Sequence, residues 1–181
     1  HIIRDYGFSS PQISQIAEHI EVESGREWNS KTHNLLIDRN TILIEPVDND
    51  NHRSMRIPEC GTYVFSEEEK FKFKLIPIDA SFQVSKELHV VSLDADKIHF
   101  PLLIRRLNDG DRFVPFGMKG SKLVSDFLTD RKISLFDKRR QLVITDANGD
   151  IMWLVSQRPD NRFRITPKSQ MALYIFLESG K

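Results

Sequence analysis

A single cysteine, Cys60, stands in 181 residues, so an internal disulfide and a cysteine-rich zinc site are both excluded, and a reducing cytoplasm is the expected setting. No apolar run approaches the ~18 residues of a membrane span, and no membrane role is expected. The chain opens His1-Ile2-Ile3-Arg4, with no initiator Met and no charged segment leading into a cleavage site. Nothing marks secretion, and a fragment of a longer protein is expected. The six histidines are scattered singly, and no repeat recurs at a fixed period. Net charge is missing as well, since 26 Lys and Arg balance 26 Asp and Glu.

That balance conceals a split. Residues 1–100 carry 11 Lys and Arg against 17 Asp and Glu, a net of −6, whereas residues 101–181 carry 15 against 9, a net of +6. A basic half points to a polyanionic partner, because phosphate contacts by Lys and Arg supply most sequence-independent nucleic-acid affinity. Two halves of opposite sign could also pair with one another, within a chain or between chains, as a protein-interaction domain would.

Ser9 and Ser10 precede Pro11, and Ile13, Ile16, Ala17 and Ile20 follow at helical spacing, which predicts a capped amphipathic helix running to about Val22. Residues 35–37 and 41–44 are β-rich runs around Asp38-Arg39-Asn40, a hairpin with a three-residue loop. Residues 47–58 are polar and aperiodic, a linker or exposed loop, and the domain boundary is placed there, giving 1–48 and 49–181. Beyond it, residues 63–65, 71–76 and 89–93 read as antiparallel strands. Phe71, Phe73 and Leu75 alternate with Lys70, Lys72 and Lys74, which puts the first three on a core face and the lysines on a solvated one, offset by the adjacent Glu67-Glu68-Glu69. Asp146-Ala147-Asn148-Gly149 separates two further strands as a tight turn, residues 163–166 and 171–177 complete the set, and residues 123–128 form one short helix.

Four basic groups stand out. In Arg162-Phe163-Arg164-Ile165, read as a strand, both guanidinium groups share one face, and their planar forks suit phosphate oxygens; Arg158 lies nearby. Gly117-Met118-Lys119-Gly120-Ser121-Lys122 leads into the short helix, so that glycines and helix N–H groups would meet a phosphate. It lacks the spacing of a nucleotide P-loop. Arg131-Lys132 and Lys138-Arg139-Arg140 flank Ser134-Leu135-Phe136-Asp137, a capping box that begins a single helical turn. Arg105-Arg106 and Arg112 complete the set. Asp109 and Asp111 have turn composition, and Asp126 and Asp130 face nearby cations, so acid–base or metal chemistry by these carboxylates, as in a hydrolase or nuclease, is the weaker reading.

The string Leu93-Asp94-Ala95-Asp96-Lys97-Ile98, then Arg105, Gly110-Asp111-Arg112-Phe113, Pro115, Gly117-Met118, Gly120, Lys132-Ile133, Arg139, Trp153-Leu154-Val155 and residues 158–165 resembles the C-terminal domain of tRNA(Ile)-lysidine synthetase over about residues 90–168. The first fifty residues resemble the end of that family's helix-rich substrate-recognition domain. The resemblance implies an α+β chain: an N-terminal helix-hairpin segment, then a mainly antiparallel, β-sandwich-like C-terminal domain with one short helix, similar to a module of phenylalanyl-tRNA synthetase. It also implies a parent ligase that joins lysine to C2 of the wobble cytidine in the CAU anticodon of tRNA(Ile), using ATP and Mg²⁺. The Ser-Gly-Gly-x-Asp-Ser motif of that family's ATP site does not occur here, so a tRNA-positioning fragment is implied, with no catalytic, cofactor or metal residue of its own. The tRNA-binding candidates are Arg105, Arg112, Lys119, Lys122, Lys132, Lys138, Arg139, Arg140, Arg158, Arg162 and Arg164, on the acceptor-stem side. A homodimer is compatible with this reading. Two positions depart from the family pattern: Ser156 replaces a common Gly, and Pro159 a common Ile.

Overall fold

A computed structural model describes residues 2–20, 24–48 and 53–180. The chain divides into two compact units, His1–Asn51 with Ile133–Arg139, and His52–Lys132 with Arg140–Lys181.

In the first unit a 3-10 turn at Ile2–Tyr6 leads into helix α1 (Ser10–His19). Gln12 Oε1 accepts the Ser9 N–H at 2.9 Å and Pro11 occupies the first turn, where its missing N–H costs no hydrogen bond. The expected extension to Val22 lies outside the described residues. Strands β1 (Arg26–Asn29), β2 (His33–Asp38) and β3 (Thr41–Pro46) form an antiparallel sheet in that order. β1 has no sequence signal, because Trp28 is its one apolar residue. The β2–β3 loop has two residues rather than three: Asp38 pairs with Thr41, leaving Arg39 and Asn40 at φ 49° and 65°, the two left-handed positions that match the twist of a tight hairpin. Phe8, Ile16, Trp28, Leu35 and Ile37 form this unit's core.

The second unit begins with β4 (Ser54–Ile57), a strand inside the expected linker, whose residues 49–52 lie outside the described ones. There follow β5 (Gly61–Val64), β6 (Glu69–Pro77), β7 (Val90–Asp94), β8 (Leu102–Arg106), β9 (Arg112–Phe113), β10 (Lys122–Leu123), helix α2 (Val124–Asp130), helix α3 (Leu135–Arg140), β11 (Leu142–Thr145), β12 (Ile151–Leu154), β13 (Arg158–Pro159) and β14 (Met171–Ser179). All of α3 but Arg140 falls in the first unit. A five-stranded sheet, β13-β12-β11-β8-β4, and a four-stranded sheet, β5-β6-β14-β7, are antiparallel throughout. Their inner faces meet in one core that includes Ile57, Ile104, Ile144 and Met152 from the first sheet and Phe71, Phe73, Leu93 and Ile175 from the second. Each fully buried side chain of this size contributes ~1.5–3 kcal/mol of hydrophobic stabilisation, and the shared core makes the sandwich the rigid body on which its loops are held.

The structure corrects several local expectations. Phe71 and Phe73 are buried as the alternation requires, but Leu75 is 52% exposed, because β6 runs past the edge of the core there. Lys70 and Lys72 are offset by Glu178, 3.1 and 3.0 Å away, rather than by residues 67–69; the β14 register sets Glu178 directly opposite Lys70. Only Gly149 of the Asn148-Gly149 pair has a positive φ, 83°. The Asp146 carboxylate holds that turn by accepting the Asn148 and Asp150 N–H groups at 2.9 and 3.1 Å. Residues 163–166 are not a strand. Asp160 caps a 3-10 turn, Asn161–Phe163, by accepting the Arg162 N–H at 2.8 Å, and this capping aspartate outweighs the β-rich composition of the run. The capping box of α3 forms as read, with Ser134 Oγ accepting the Asp137 N–H at 3.1 Å.

Candidate nucleic-acid interface

Within the second unit the basic side chains gather around the exposed loop of residues 116–122. Gly117, at φ 87°, turns the chain where a side chain would be strained. Main-chain bonds fix the loop's start: Phe116 N–H donates to the Pro159 carbonyl at 2.9 Å and Met118 N–H to the Pro115 carbonyl at 2.9 Å. Gly117 N–H reaches Asn161 Oδ1 at 3.3 Å. From outside the loop, Arg112 donates through Nε and Nη2 to the Ser121 hydroxyl and carbonyl at 3.1 and 3.2 Å, and Arg158 Nη1 donates to the Phe116 carbonyl at 3.3 Å. Arg164 Nη1 donates to the Asn161 carbonyl at 3.2 Å. Arg131, at the end of α2, lies over the Phe127 ring and donates to Gln157 Oε1 at 3.2 Å. Lys119 is exposed, with no ion pair among the described residues.

These five cations, Arg112, Lys119, Arg131, Arg158 and Arg164, therefore meet neutral acceptors or solvent, and their charge is not cancelled locally. Each guanidinium has five N–H donors and spends one or two. Lys122 belongs to the same loop but is paired with Asp130. Arg105 and Arg162 are committed to carboxylates: Arg105 grips Asp111 through two N–H groups at 2.7 and 2.9 Å, and Arg162 reaches both Asp160 and Asp150. Asp160 is fully buried; the hydrogen bonds that Arg162 donates to Asp160 raise the Arg162 pKa against the opposing cost of burial, with Asp150 adding to the rise. Arg140 offers its carbonyl to Arg106. Lys132, at φ 60°, ends α2 by donating its N–H to the Thr129 carbonyl at 2.8 Å. In the first unit, Arg139 meets the Glu27 carboxylate at 2.9 Å, and Lys138 is half-buried on α3.

The loop is not a helix-capped anion site. β10 intervenes between the glycines and α2, and the first helical N–H, that of Val124, donates to the Asp111 carbonyl at 2.9 Å. Among the described residues no three His, Cys, Asp or Glu side chains gather as a metal-holding group, and no helix is long and apolar enough to cross a membrane. Sequence reasoning passes over Arg131 and Phe116 as site residues. Arg131 carries a signal as part of the Arg131-Lys132 pair. Phe116, 48% exposed, carries none, because an aromatic beside Pro115 reads as core.

Residues 1–47 match the family model of the TilS substrate binding domain. The chain is similar to the tRNA(Ile)-lysidine synthase of Parabacteroides distasonis, 34% identical over 96% of this chain and 39% of that protein. It is 35% identical to that of Bacteroides thetaiotaomicron, over 88% of this chain and 34% of the relative. The chain thus spans under half the length of the curated relatives it matches. Among solved structures, the C-terminal domain of TILS superposes with a TM-score of 0.59 at 17% identity, covering 71% of this chain and 98% of that one. An N-terminal fragment of the phenylalanyl-tRNA synthetase beta-subunit from Pyrococcus horikoshii gives 0.50 at 12% identity, covering 94% and 63%. At these identities the two structures establish a shared fold, which is the β-rich α+β architecture expected from the sequence.

Proposed function

We propose, from the premise that this chain belongs to the tRNA(Ile)-lysidine synthase family and represents its C-terminal part, that it holds tRNA for a reaction performed elsewhere in the parent protein. The parent joins lysine to the wobble cytidine of the CAU anticodon of tRNA(Ile) with ATP and Mg²⁺, and this chain contributes orientation. A tRNA is long compared with its one reacting base, so contacts remote from that base hold it in register and raise the rate by restricting its approach.

The observation that carries this reading is a set of cations that meet neutral acceptors or solvent: Arg112, Lys119, Arg158 and Arg164 at the 116–122 loop and its anchors, with Arg131 on Gln157. A backbone-binding surface needs such uncancelled charge, since binding is driven by counterion release from phosphates. The loop and β13 are set on a rigid sandwich, so the charges hold a fixed spacing and suit the regular shape of an A-form stem. A solitary cysteine, Cys60, fits a reducing cytoplasm.

The test is the affinity of the chain for tRNA(Ile) across 50–200 mM salt. A log–log slope that steepens by about 0.7–0.9 per phosphate neutralised is expected, with a DNA hairpin of the same sequence bound more weakly. A flat salt response, or self-association without RNA binding, would instead favour a protein-interaction domain.

A further inference from the structure

A groove of about 470 Å³ opens beside the basic loop, between the outer edge of β7 on one sheet and β13 on the other. Its volume lies in the ~300–1,000 Å³ range of small-ligand clefts. Phe116 and Arg158 line it, so it is continuous with the interface described above, and Arg164 and Lys86 add two more cations. Three large apolar side chains stand exposed around it: Phe116 at 48%, Val84 at 56% and Leu88 at 61%. Its one acid, Glu87, is engaged by His89 at 3.1 Å. Exposed apolar surface of this kind marks a binding surface rather than a folding requirement.

We propose that this groove is a subsite for one unpaired nucleotide next to an RNA helix, an inference that rests on the tRNA-holding reading and adds a ligand to it. A nucleotide combines the two properties that the groove presents together. Its base has an apolar face that stacks on an aromatic ring, here Phe116 with Val84 and Leu88 around it, and its phosphate takes N–H donors from Arg158 and Arg164. Both guanidinium groups are anchored by one bond to a carbonyl, at 3.3 and 3.2 Å, and keep their other donors for a ligand. The Phe116 main chain is held through Pro159 at 2.9 Å, which fixes where the ring is attached at the groove. A peptide adding to the open edge of β7 would use the same groove, but three cations against a single acid select an anion.

The experiment compares the chain's Kd for an RNA hairpin bearing a four-nucleotide 3′ single-stranded extension with its Kd for the same hairpin blunt-ended. The extension should tighten binding on the order of tenfold, the scale of one stacked base. Phe116→Ala should weaken binding of the extended hairpin about tenfold more than that of the blunt one, whereas Phe116→Trp should keep the difference between them. Trp153 itself lines the groove, so the readout is the quenching that Phe116→Trp adds over the parent protein, expected with the extended RNA alone. Equal affinity for the two RNAs, or equal weakening for both in Phe116→Ala, overturns the subsite while leaving tRNA holding intact. So does quenching by an extended apolar peptide but not by RNA. Failure to bind either hairpin overturns the tRNA-holding reading itself.

Discussion

Arg162 closes a two-pronged contact on Asp160, with Nε 3.0 Å from Oδ1 and Nη2 2.9 Å from Oδ2. Asp160 also accepts the main-chain N–H groups of Arg162 and Val114, both at 2.8 Å, so four hydrogen bonds satisfy a carboxylate with no exposure to water. The pair ties the 3-10 turn to the strand that enters the basic loop. It is an internal brace before it is a ligand.

Truncating Arg162 to Ala should therefore act on stability. The Asp160 carboxylate keeps its two main-chain donors and loses two charged ones, and the expected cost is about 1–3 kcal/mol. Asp160→Ala removes the cap and leaves the Val114 and Arg162 main-chain N–H groups without their acceptor, while Arg162 keeps Asp150 at 2.8 Å, and should cost more, about 2–4 kcal/mol. Urea unfolding measures both as a lower midpoint at unchanged slope. A change below about 0.5 kcal/mol in both variants would sink this account.

Arg112 and Arg158 make the opposite case, since each donates to neutral groups of the 116–122 loop. Arg112→Ala and Arg158→Ala should leave the unfolding midpoint within about 1 kcal/mol of the parent and weaken tRNA binding. The salt slope should flatten by about 0.7–0.9 for each phosphate no longer neutralised. Weakened binding at an unchanged slope would assign these arginines to loop shape rather than to phosphate.

The contrast among these arginines marks where the sequence is legible. The strands β2, β3, β5, β6, β7 and β14, the residues 142–155 hairpin, the α3 capping box and the family resemblance are local or ordered signals that the residues carry openly, whereas β1, β4 and β8 are not read and residues 163–166 are misread as a strand. The destination of a guanidinium is not local. Alternation with Phe163 and Ile165 puts Arg162 on a strand face, yet Asp160, two residues earlier, caps a 3-10 turn and takes the charge. Arg105 can be matched to Asp111 only once β8 and the turn before β9 are brought together. Leu75 alternates with Phe73 as a core residue should, and lies exposed because the core ends before β6 does. Phe116 and Leu88 share a groove across 28 positions of sequence, a distance that no periodicity reports.

Ser156 stands where the resemblance leads one to expect Gly, and its φ is 57°. The turn it makes is closed by Gln157 N–H donating to the Leu154 carbonyl at 2.9 Å. A left-handed conformation costs a residue with Cβ roughly 1–2 kcal/mol, while the freedom glycine adds to the unfolded chain returns roughly 0.5–1 kcal/mol of that. The first effect wins, so Ser156→Gly should stabilise the second unit by about 0.5–1 kcal/mol, read as a rise of roughly 1–4 °C in its calorimetric transition. An unchanged or lowered transition temperature would show that the Ser156 side chain returns more than the strain removes.

Asp94 gives a dependence on pH. Its carboxylate is 4% exposed at the end of β7, accepts the Ser169 hydroxyl at 2.7 Å and the Asp96 N–H at 3.2 Å, and faces Lys97 Nζ at 3.2 Å. Burial alone would raise its pKa, but the Ser169, Lys97 and Asp96 contacts together hold it below the ordinary 3.8. The folded form therefore binds the proton less readily than the unfolded chain does. Its stabilisation is present in full above the ordinary carboxylate value and is lost as pH falls through the lower, folded one. Asp94→Asn removes the charge at every pH. It should cost about 1–3 kcal/mol at pH 7, the worth of hydrogen bonds to a charged group, and progressively less below about pH 4. Guanidinium unfolding at pH 7 and pH 3 provides the comparison, with Lys97→Met as a second variant that removes the facing ammonium and keeps the Ser169 bond. If the deficit of Asp94→Asn at pH 3 equals that at pH 7, the contact is a matter of shape and not of charge.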